Sequence, residues 1–149
     1  MAVTATRRPT SKLSALVALC LVGIITLGTA CSPRELGGRV HGLINAERAN
    51  RGLPALTWND NAAAKAQEWA ERMASKKAIS HSVLTDGIDG GWTALGENVG
   101  YAGNIDQTHR GFMNSPRHAA AILNGQFREV GIGVAQRDGL FYVVEVFRG

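Results

Sequence analysis

The sequence has almost no cysteine, with Cys20 and Cys31 the two in 149 residues. Cys20 lies inside an apolar run at residues 13–27, which follows three basic residues and ends in small residues. This pattern is typical of a secretory signal peptide, although the run approaches the length of a membrane-spanning helix. We expect residues 1–30 to be removed, which leaves one cysteine and excludes an internal disulfide. The stability of the exported domain must then come from packing.

The sequence also lacks an excess of either charge beyond the apolar run. The full chain carries +4, but three of its 16 basic residues precede Cys31 and all 12 acidic residues follow it, so the remainder carries 13 minus 12, or +1. After Cys31 the longest basic cluster is Lys76-Lys77. The electrostatic footprint of a nucleic-acid-binding protein is missing, and we expect no nucleic-acid partner.

The segment LGTAC, which ends at Cys31, resembles a bacterial lipobox, in which the cysteine becomes lipid-modified and N-terminal. Gly28 stands where that pattern prefers a large aliphatic residue, and Gly28 and Ala30 would equally suit an ordinary signal peptidase. We favour lipidation of Cys31, which predicts a protein anchored at the cell envelope, with free secretion as the alternative. A short tether at residues 31–38 would then join the membrane to a domain at residues 39–149.

Apolar residues recur at helical spacing in three segments of the remaining chain. The first is predicted at residues 35–50, and the second begins with Asn59 or Asp60 as its N-cap. We expect Trp69 of the second helix to anchor the core. A third helix is predicted to begin at Asp106.

Glycines dominate the stretch TDGIDGGWTALGENVGYAG, which predicts a long loop with no more than a short strand or turn in it. Such loops often line a functional surface, and the aromatic residues of this one argue against disorder. The C-terminal segments EVGIGVAQ and LFYVVEVF flank RDG, which predicts an antiparallel hairpin with the second strand central in its sheet. Helices followed by strands, without alternation, predict an α+β fold with layered α-β-α architecture.

The segment NSPRHAAAIL, residues 114–123, places His118 in the first turn of a short helix. Ser115 is a suitable N-cap and Pro116 suits the first helical position. The positive end of the helix dipole favours the neutral imidazole, which can accept a proton or bind a metal. One histidine in such a place is more often packed than functional, so its partners elsewhere in the chain decide its role.

Five motifs occur in an order that resembles the bacterial members of the CAP family, also called SCP-like: NAERANRGLPALTWND, SHS, GENVGYA, FMNSPRHAAAILN and REVGIGVA. The resemblance covers nearly everything after Arg39. It implies a three-layer α-β-α sandwich, which agrees with the layered architecture expected from the elements. It also implies a cavity in which two histidines and two acidic residues converge.

Three of those four cavity residues have matches in this sequence. His81 of SHS and His118 match the histidines, and Glu97 of GENV matches the first acidic residue. Asn114 and Ser115 stand where the second acidic residue is expected. This departure weakens any mechanism that needs two carboxylates.

Two neutral imidazoles and one carboxylate can bind Zn²⁺ with a fourth position open, or they can form a hydrogen-bonded cavity floor. His81 and His118, with Glu97, are therefore candidate zinc ligands. Our leading hypothesis is a non-enzymatic binding module whose cavity, with Ser115 at its side, receives a small apolar or amphipathic ligand. The alternative is a metal-assisted peptidase or esterase with Glu97 as base, although Glu97 cannot easily be both ligand and base. A purely structural interaction domain is the third hypothesis.

The other histidines and the serines carry weaker expectations. His41 and His109 match no family position, and we expect solvated or capping roles for both. Ser80, Ser82 and Ser115 adjoin the cavity histidines as candidate nucleophiles, but the sequence has no nucleophile elbow of the GxSxG kind.

Overall fold

The computed structural model describes residues 31–149, so the predicted signal peptide at 1–30 lies outside the described residues. The elements are α1 (Pro33–Ala49), β1 (Thr57–Trp58), α2 (Asp60–Lys76), β2 (Leu95–Ala102), α3 (Ile105–Asn114), α4 (Pro116–Ile122), β3 (Glu129–Arg137) and β4 (Leu140–Arg148). Within residues 31–149, none of the helices combines the length and apolar character needed to cross a membrane.

The strands form one sheet in the order β1-β3-β4-β2. β4 is antiparallel to both of its neighbours, and the short β1, which the sequence did not predict, pairs parallel with β3. The β3–β4 hairpin turns at Asp138 and Gly139, whose φ angles are +50° and +77°. Two left-handed residues give a turn whose twist matches that of the strands. The predicted hairpin and the central position of its second strand are confirmed, and β2 is left as an edge strand.

Helices cover both faces of this sheet. On one face α2 packs through Ala66, Ala70 and Met73 against β4. On the other face α1 and α3 bring Ile44 and Phe112 into a second core cluster over β3 and β4. The predicted α+β sandwich with three layers is confirmed.

Small residues let α2 lie directly on the backbone of β3. A Cβ atom on Gly131 would overlap the backbone of Ala63, and one on Gly133 would overlap the backbone of Ala66. Trp69 is too large for this contact. It is half-buried at the margin of α2, where it packs against the core cluster on this face and its Nε1 donates to the carbonyl of Ser80 at 2.7 Å, so it contacts the core from the side instead of lying inside it.

Within the predicted loop, residues 95–102 form the eight-residue strand β2, which is longer than the short strand or turn expected there. Gly96 and Gly100 are needed for packing and do not interrupt the strand. A Cβ on Gly96 would lie 2.7 Å from the ring of Phe127, and a Cβ on Gly100 would lie 2.7 Å from the ring of Phe112. The glycines therefore admit aromatic rings against the strand.

The predicted tether at residues 31–38 belongs to the folded domain, because α1 begins at Pro33. Ser32 and Glu35 form a capping box, in which Ser32 N donates to Glu35 Oε2 at 2.6 Å and Glu35 N donates to Ser32 Oγ at 3.3 Å. Gly37 is buried beside the ring of Trp58. The reciprocal cap and this contact extend the helix through the residues that were expected to be free.

The other helix starts lie close to their predicted positions. Asn59 caps α2 by accepting from Ala62 N at 2.8 Å, and Asn104 caps α3, which begins one residue earlier than predicted. α4 begins at Pro116 as predicted. Ser115 is its N-cap residue by position, but its side chain makes no cap hydrogen bond.

Candidate functional site

Segments from both faces of the sheet meet at the edge strand β2. Alternation along the strand turns Glu97 and Val99 towards the α2 face and Asn98 towards the α4 face. His81 follows α2 in the chain and His118 belongs to α4, so they approach the strand from opposite sides. Because β2 has no outer neighbour among the described residues 31–149, these groups can meet around its edge.

Glu97 fixes the loop after α2 to the strand. Its Oε1 accepts from His81 Nδ1 at 2.8 Å and from Ser82 N at 2.9 Å, and its Oε2 accepts from Ser82 Oγ at 2.6 Å. The side chain of Glu97 is 3% exposed, whereas that of His81 is 60% exposed. A carboxylate only accepts, so Nδ1 of His81 carries the proton of this bond, and Nε2 takes no part in it.

His118 is half-buried beneath the ring of Phe112, with ring centroids 5.0 Å apart. Its Nδ1 is buried without a hydrogen-bond partner in the described part of the chain. Burial lowers the pKa of His118 below its ordinary value, and the nearby His81 and Arg117 lower it further. The imidazole is therefore neutral at neutral pH, and burial is the main cause.

A cavity of about 320 Å³ lies between these side chains, lined by His81, Ser82, Leu84, Gly96, Glu97, Asn98, Arg117, His118 and Ala121. The structure thus brings the three residues predicted from separate motifs to one place. Ser115 is not part of this lining, because it lies at the junction of α3 and α4 with its backbone N–H on the carbonyl of Phe112 at 3.1 Å. Two larger surface grooves, of about 480 and 590 Å³, have no histidine in their linings.

The donor set does not fit the predicted zinc site. Within residues 31–149, no group of three His, Cys, Asp or Glu side chains is arranged to hold a metal ion. The Glu97 carboxylate accepts hydrogen bonds from His81 and Ser82, so it orients the His81 imidazole instead of serving as a metal ligand. The two imidazoles that remain are fewer than the three protein ligands usual at catalytic zinc.

The serines of the described residues do not pair with the histidines. The hydroxyl of Ser82 donates to Glu97, and within residues 31–149 no serine hydroxyl bonds to a histidine. The carbonyl of Ser80 accepts from Trp69 in the loop. Catalysis by a serine–histidine pair needs a hydroxyl within reach of an imidazole, and the described residues do not supply one.

A buried polar pair, of which Asn98 belongs to the cavity lining and Glu145 lies behind it, was not singled out by the sequence pattern. Asn98 and Glu145 lie opposite each other on β2 and β4, with exposures of 1% and 0%. Asn98 Nδ2 donates to Glu145 Oε2 at 2.9 Å and to the carbonyl of His118 at 3.1 Å. Burial raises the pKa of Glu145 to about 8, against a smaller lowering by the Asn98 bond. The available signal was one carboxyl inside the otherwise apolar strand LFYVVEVF.

The two remaining histidines lie away from the cavity. His41 is half-buried, with Nε2 bonded to the carbonyl of Leu56 at 2.8 Å and its ring edge on Trp58. His109 is 6% exposed, and both of its ring nitrogens are buried without a partner in the described chain. The expectation of a solvated or capping role is wrong for both, because each imidazole packs into the domain.

Comparisons with known proteins agree on one fold. A family model described as CAP, the cysteine-rich secretory protein family, matches residues 41–147. No curated protein gives a significant sequence match.

Among solved structures, an extracellular protein containing an SCP domain from Bacillus anthracis is 23% identical with a TM-score of 0.66, over 80% of this chain and 44% of that one. A cysteine-rich secretory protein from Staphylococcus aureus is 25% identical with a TM-score of 0.66, over 78% and 39%. An outer surface protein from Borrelia burgdorferi is 18% identical with a TM-score of 0.72, over 79% and 95%. The chain therefore spans less than half the length of the first two proteins.

Proposed function

The chain belongs to the CAP, or cysteine-rich secretory protein, family, and from this premise we propose that it is an exported binding module whose cavity at the edge of β2 holds a small amphipathic ligand. The observation that carries the proposal is the cavity of about 320 Å³. Its lining combines the polar side chains of His81, Arg117 and His118 with the apolar side chains of Leu84 and Ala121. Pockets that bind small molecules combine apolar walls with a few placed polar groups in this way.

The charges around the cavity favour a ligand with an acceptor or anionic head. The carboxylate of Glu97 is already engaged by Ser82 and His81, whereas Arg117 lines the cavity as a permanent cation. Neutral His118 adds a polar contact without a charge. A carboxylate head near Arg117 with a short apolar tail towards Ala121 fits this distribution.

No observation favours the hydrolase alternative with equal weight. A general base must have a free lone pair within reach of the proton that it removes. Glu97 already accepts three hydrogen bonds, of the roughly four that a carboxylate can accept, and its side chain is 3% exposed, so it is poorly placed to meet a substrate proton. We therefore propose binding without turnover.

Calorimetric titration with octanoate, octanol and octylamine tests the ligand class. We expect octanoate to bind best and octylamine worst. Arg117→Gln should weaken octanoate binding by about tenfold or more, since a charge-assisted hydrogen bond is worth about 1.5–3 kcal/mol. His118→Ala should weaken octanoate and octanol alike. The matched control is Arg110→Gln, because Arg110 is exposed on α3 and does not line the cavity.

Two results would reject the binding proposal. Unchanged octanoate affinity in both Arg117→Gln and His118→Ala would show that the ligand lies elsewhere. Hydrolysis of p-nitrophenyl octanoate that disappears in both His118→Ala and Glu97→Ala would establish the enzyme instead. Cavity histidines that can be replaced without any effect would favour a structural interaction domain.

We further propose that Cys31 carries lipid and anchors the domain at the cell envelope. Cys31 is a free, exposed cysteine, and α1 begins two residues after it. The anchor would therefore hold the domain close to the membrane, without a flexible tether. Mass spectrometry of the membrane fraction should find an acylated N-terminal peptide that begins at Cys31. An unmodified Cys31 peptide from the culture medium would instead establish free secretion.

A further inference from the structure

The floor of the cavity rests on a polar pair that the proposed function does not use. Asn98 and Glu145 face each other across the β2–β4 ladder, and both side chains are buried. Directly opposite residues of an antiparallel pair hold their Cβ atoms about 5 Å apart, so the contact follows from the strand register. α4 covers the pair from the side that carries His118.

The amide of Asn98 joins three elements. Its two Nδ2 hydrogens serve two acceptors, Glu145 Oε2 on β4 at 2.9 Å and the carbonyl of His118 on α4 at 3.1 Å. Asn98 therefore holds the backbone of His118, and the imidazole of the same residue lines the cavity. Moving α4 away from β2 would leave a buried donor without its acceptor, which is costly.

We propose that Asn98 and Glu145 are positioning residues that hold His118 in place for the ligand, and that they do so with Glu145 as the neutral carboxylic acid. The positioning of His118 for the ligand rests on the proposed binding function. Glu145 is 0% exposed and lies outside the cavity lining, and Asn98, which belongs to the lining, is 1% exposed with its amide already bonded to Glu145 and to the carbonyl of His118. Both act through the backbone of His118.

The surroundings of Glu145 favour its neutral form. Its one hydrogen bond comes from Asn98, its Oε1 has no partner within residues 31–149, and its other cross-strand neighbour is Ile132. Four ionisable side chains of the three helices on this face are buried or line the cavity, and none of them bonds to Glu145: Arg48 of α1, His109 of α3, and Arg117 and His118 of α4. The raised pKa of Glu145, about 8, is caused by burial.

Ionisation of Glu145 would create a buried charge without a cation. The charged oxygen would have to recruit water or draw on the Asn98 amide, and either change loosens the link to His118. Ligand affinity should therefore fall at alkaline pH. Octanoate stays anionic throughout the alkaline range, and the lowered pKa of His118 keeps the titration of that imidazole below this range.

The test compares wild type with Glu145→Gln in octanoate titrations from pH 7 to pH 9.5. The amide oxygen of glutamine can still accept from Asn98, but the side chain cannot ionise. We expect wild-type affinity to fall by about tenfold with a midpoint near 8, whereas Glu145→Gln keeps its pH 7 affinity. Glu129→Gln is the control, because Glu129 lies on β3 in an ion pair with Arg148 and should leave the wild-type profile unchanged.

Nuclear magnetic resonance of the His118 ring supplies a readout that needs no ligand. Its resonances should shift with a midpoint near 8 in wild type and should not shift in that range in Glu145→Gln. Asn98→Ala should weaken octanoate binding at every pH while circular dichroism confirms its fold. If Asn98→Ala fails to fold, the Glu145→Gln comparison still decides.

The inference is overturned if Glu145→Gln keeps the alkaline loss of affinity, or if the wild-type His118 resonances do not respond near pH 8. Failure of the binding proposal looks different. Wild type would then not bind octanoate at any pH, while the His118 resonances would still report whether Glu145 positions that residue.

Discussion

Glu145→Gln should change how the stability of the domain depends on pH. The folded domain holds the Glu145 carboxyl with 0% exposure and one hydrogen bond, and burial raises its pKa from 4.5 to about 8. In the unfolded chain the carboxyl is in water and titrates at its ordinary pKa. Between these two values the folded state binds the proton and the unfolded state does not.

The sign and size of the effect follow from proton linkage. Stability falls as pH rises wherever the folded state binds more protons, so wild type loses stability from about 4.5 up to about 8. Each pH unit inside this window costs about 1.4 kcal/mol, so from pH 5 to pH 7 the free energy of unfolding should fall by about 2.5 kcal/mol. Glutamine cannot ionise, and its variant should not show this loss.

Urea unfolding followed by circular dichroism at pH 5, 6, 7 and 8 measures the effect. The relevant quantity is the difference between the variant and wild type at each pH, because a fixed cost of burying the amide cancels when these differences are compared. The titration of His109 and His118 also changes stability with pH, but it does so equally in both proteins and cancels in the same difference. Glu71→Gln, at an exposed position on α2, is the matched control and should follow the wild-type profile.

Parallel stability profiles for Glu145→Gln and wild type would refute this reasoning. They would mean that the folded domain does not hold the carboxyl in its neutral form. A difference that shrinks with rising pH would point to a partner that stabilises the charged form.

Two further predictions concern residues outside the cavity. His109→Phe should reduce the loss of stability below pH 6.5 in urea unfolding, because burial lowers the pKa of His109 in the folded state, although Glu47 and Asp106 oppose the shift. An acid sensitivity equal to that of wild type would contradict this. Gly133→Ala should destabilise the domain by about 1–3 kcal/mol or more, because its Cβ would overlap the backbone of α2. The control Gly42→Ala has open space for its Cβ and should be neutral or stabilising. Equal melting temperatures for the two variants would show that the close approach of α2 to β3 is not needed.

The sequence predicted elements whose signals are local. Asn59 caps α2 from its own first turn, and the hairpin turn at Asp138 and Gly139 lies within three residues of both strands. β2 was not predicted at its full length because the reason for its glycines is not local. Gly96 is needed where Phe127, 31 positions later, crosses the strand. Until that packing is known, a glycine in a strand and a glycine in a loop look alike.

The candidate site shows the same division between local and tertiary information. Motif order identified His81, Glu97 and His118, and the edge position of β2 explains how they meet. Spacing along the chain did not reveal that the carboxylate oxygens of Glu97 accept hydrogen bonds from Ser82 and His81. That geometry depends on the loop after α2 folding back over the strand. It favours a cavity wall over a metal ligand.

Glu97 and Glu145 differ in the number of hydrogen-bond donors around their carboxyl groups. Glu97 accepts three hydrogen bonds and lines the cavity, whereas Glu145 accepts one and lies beneath it. Asn114, where the family resemblance implies a second acidic residue, is exposed and is not part of the lining. The second buried carboxyl instead comes from β4 and reaches His118 only through Asn98. A mechanism with two carboxylates on the ligand therefore lacks one of them in this cavity, whereas the proposed binding of an anionic head needs only Arg117 and His118, which both line the cavity.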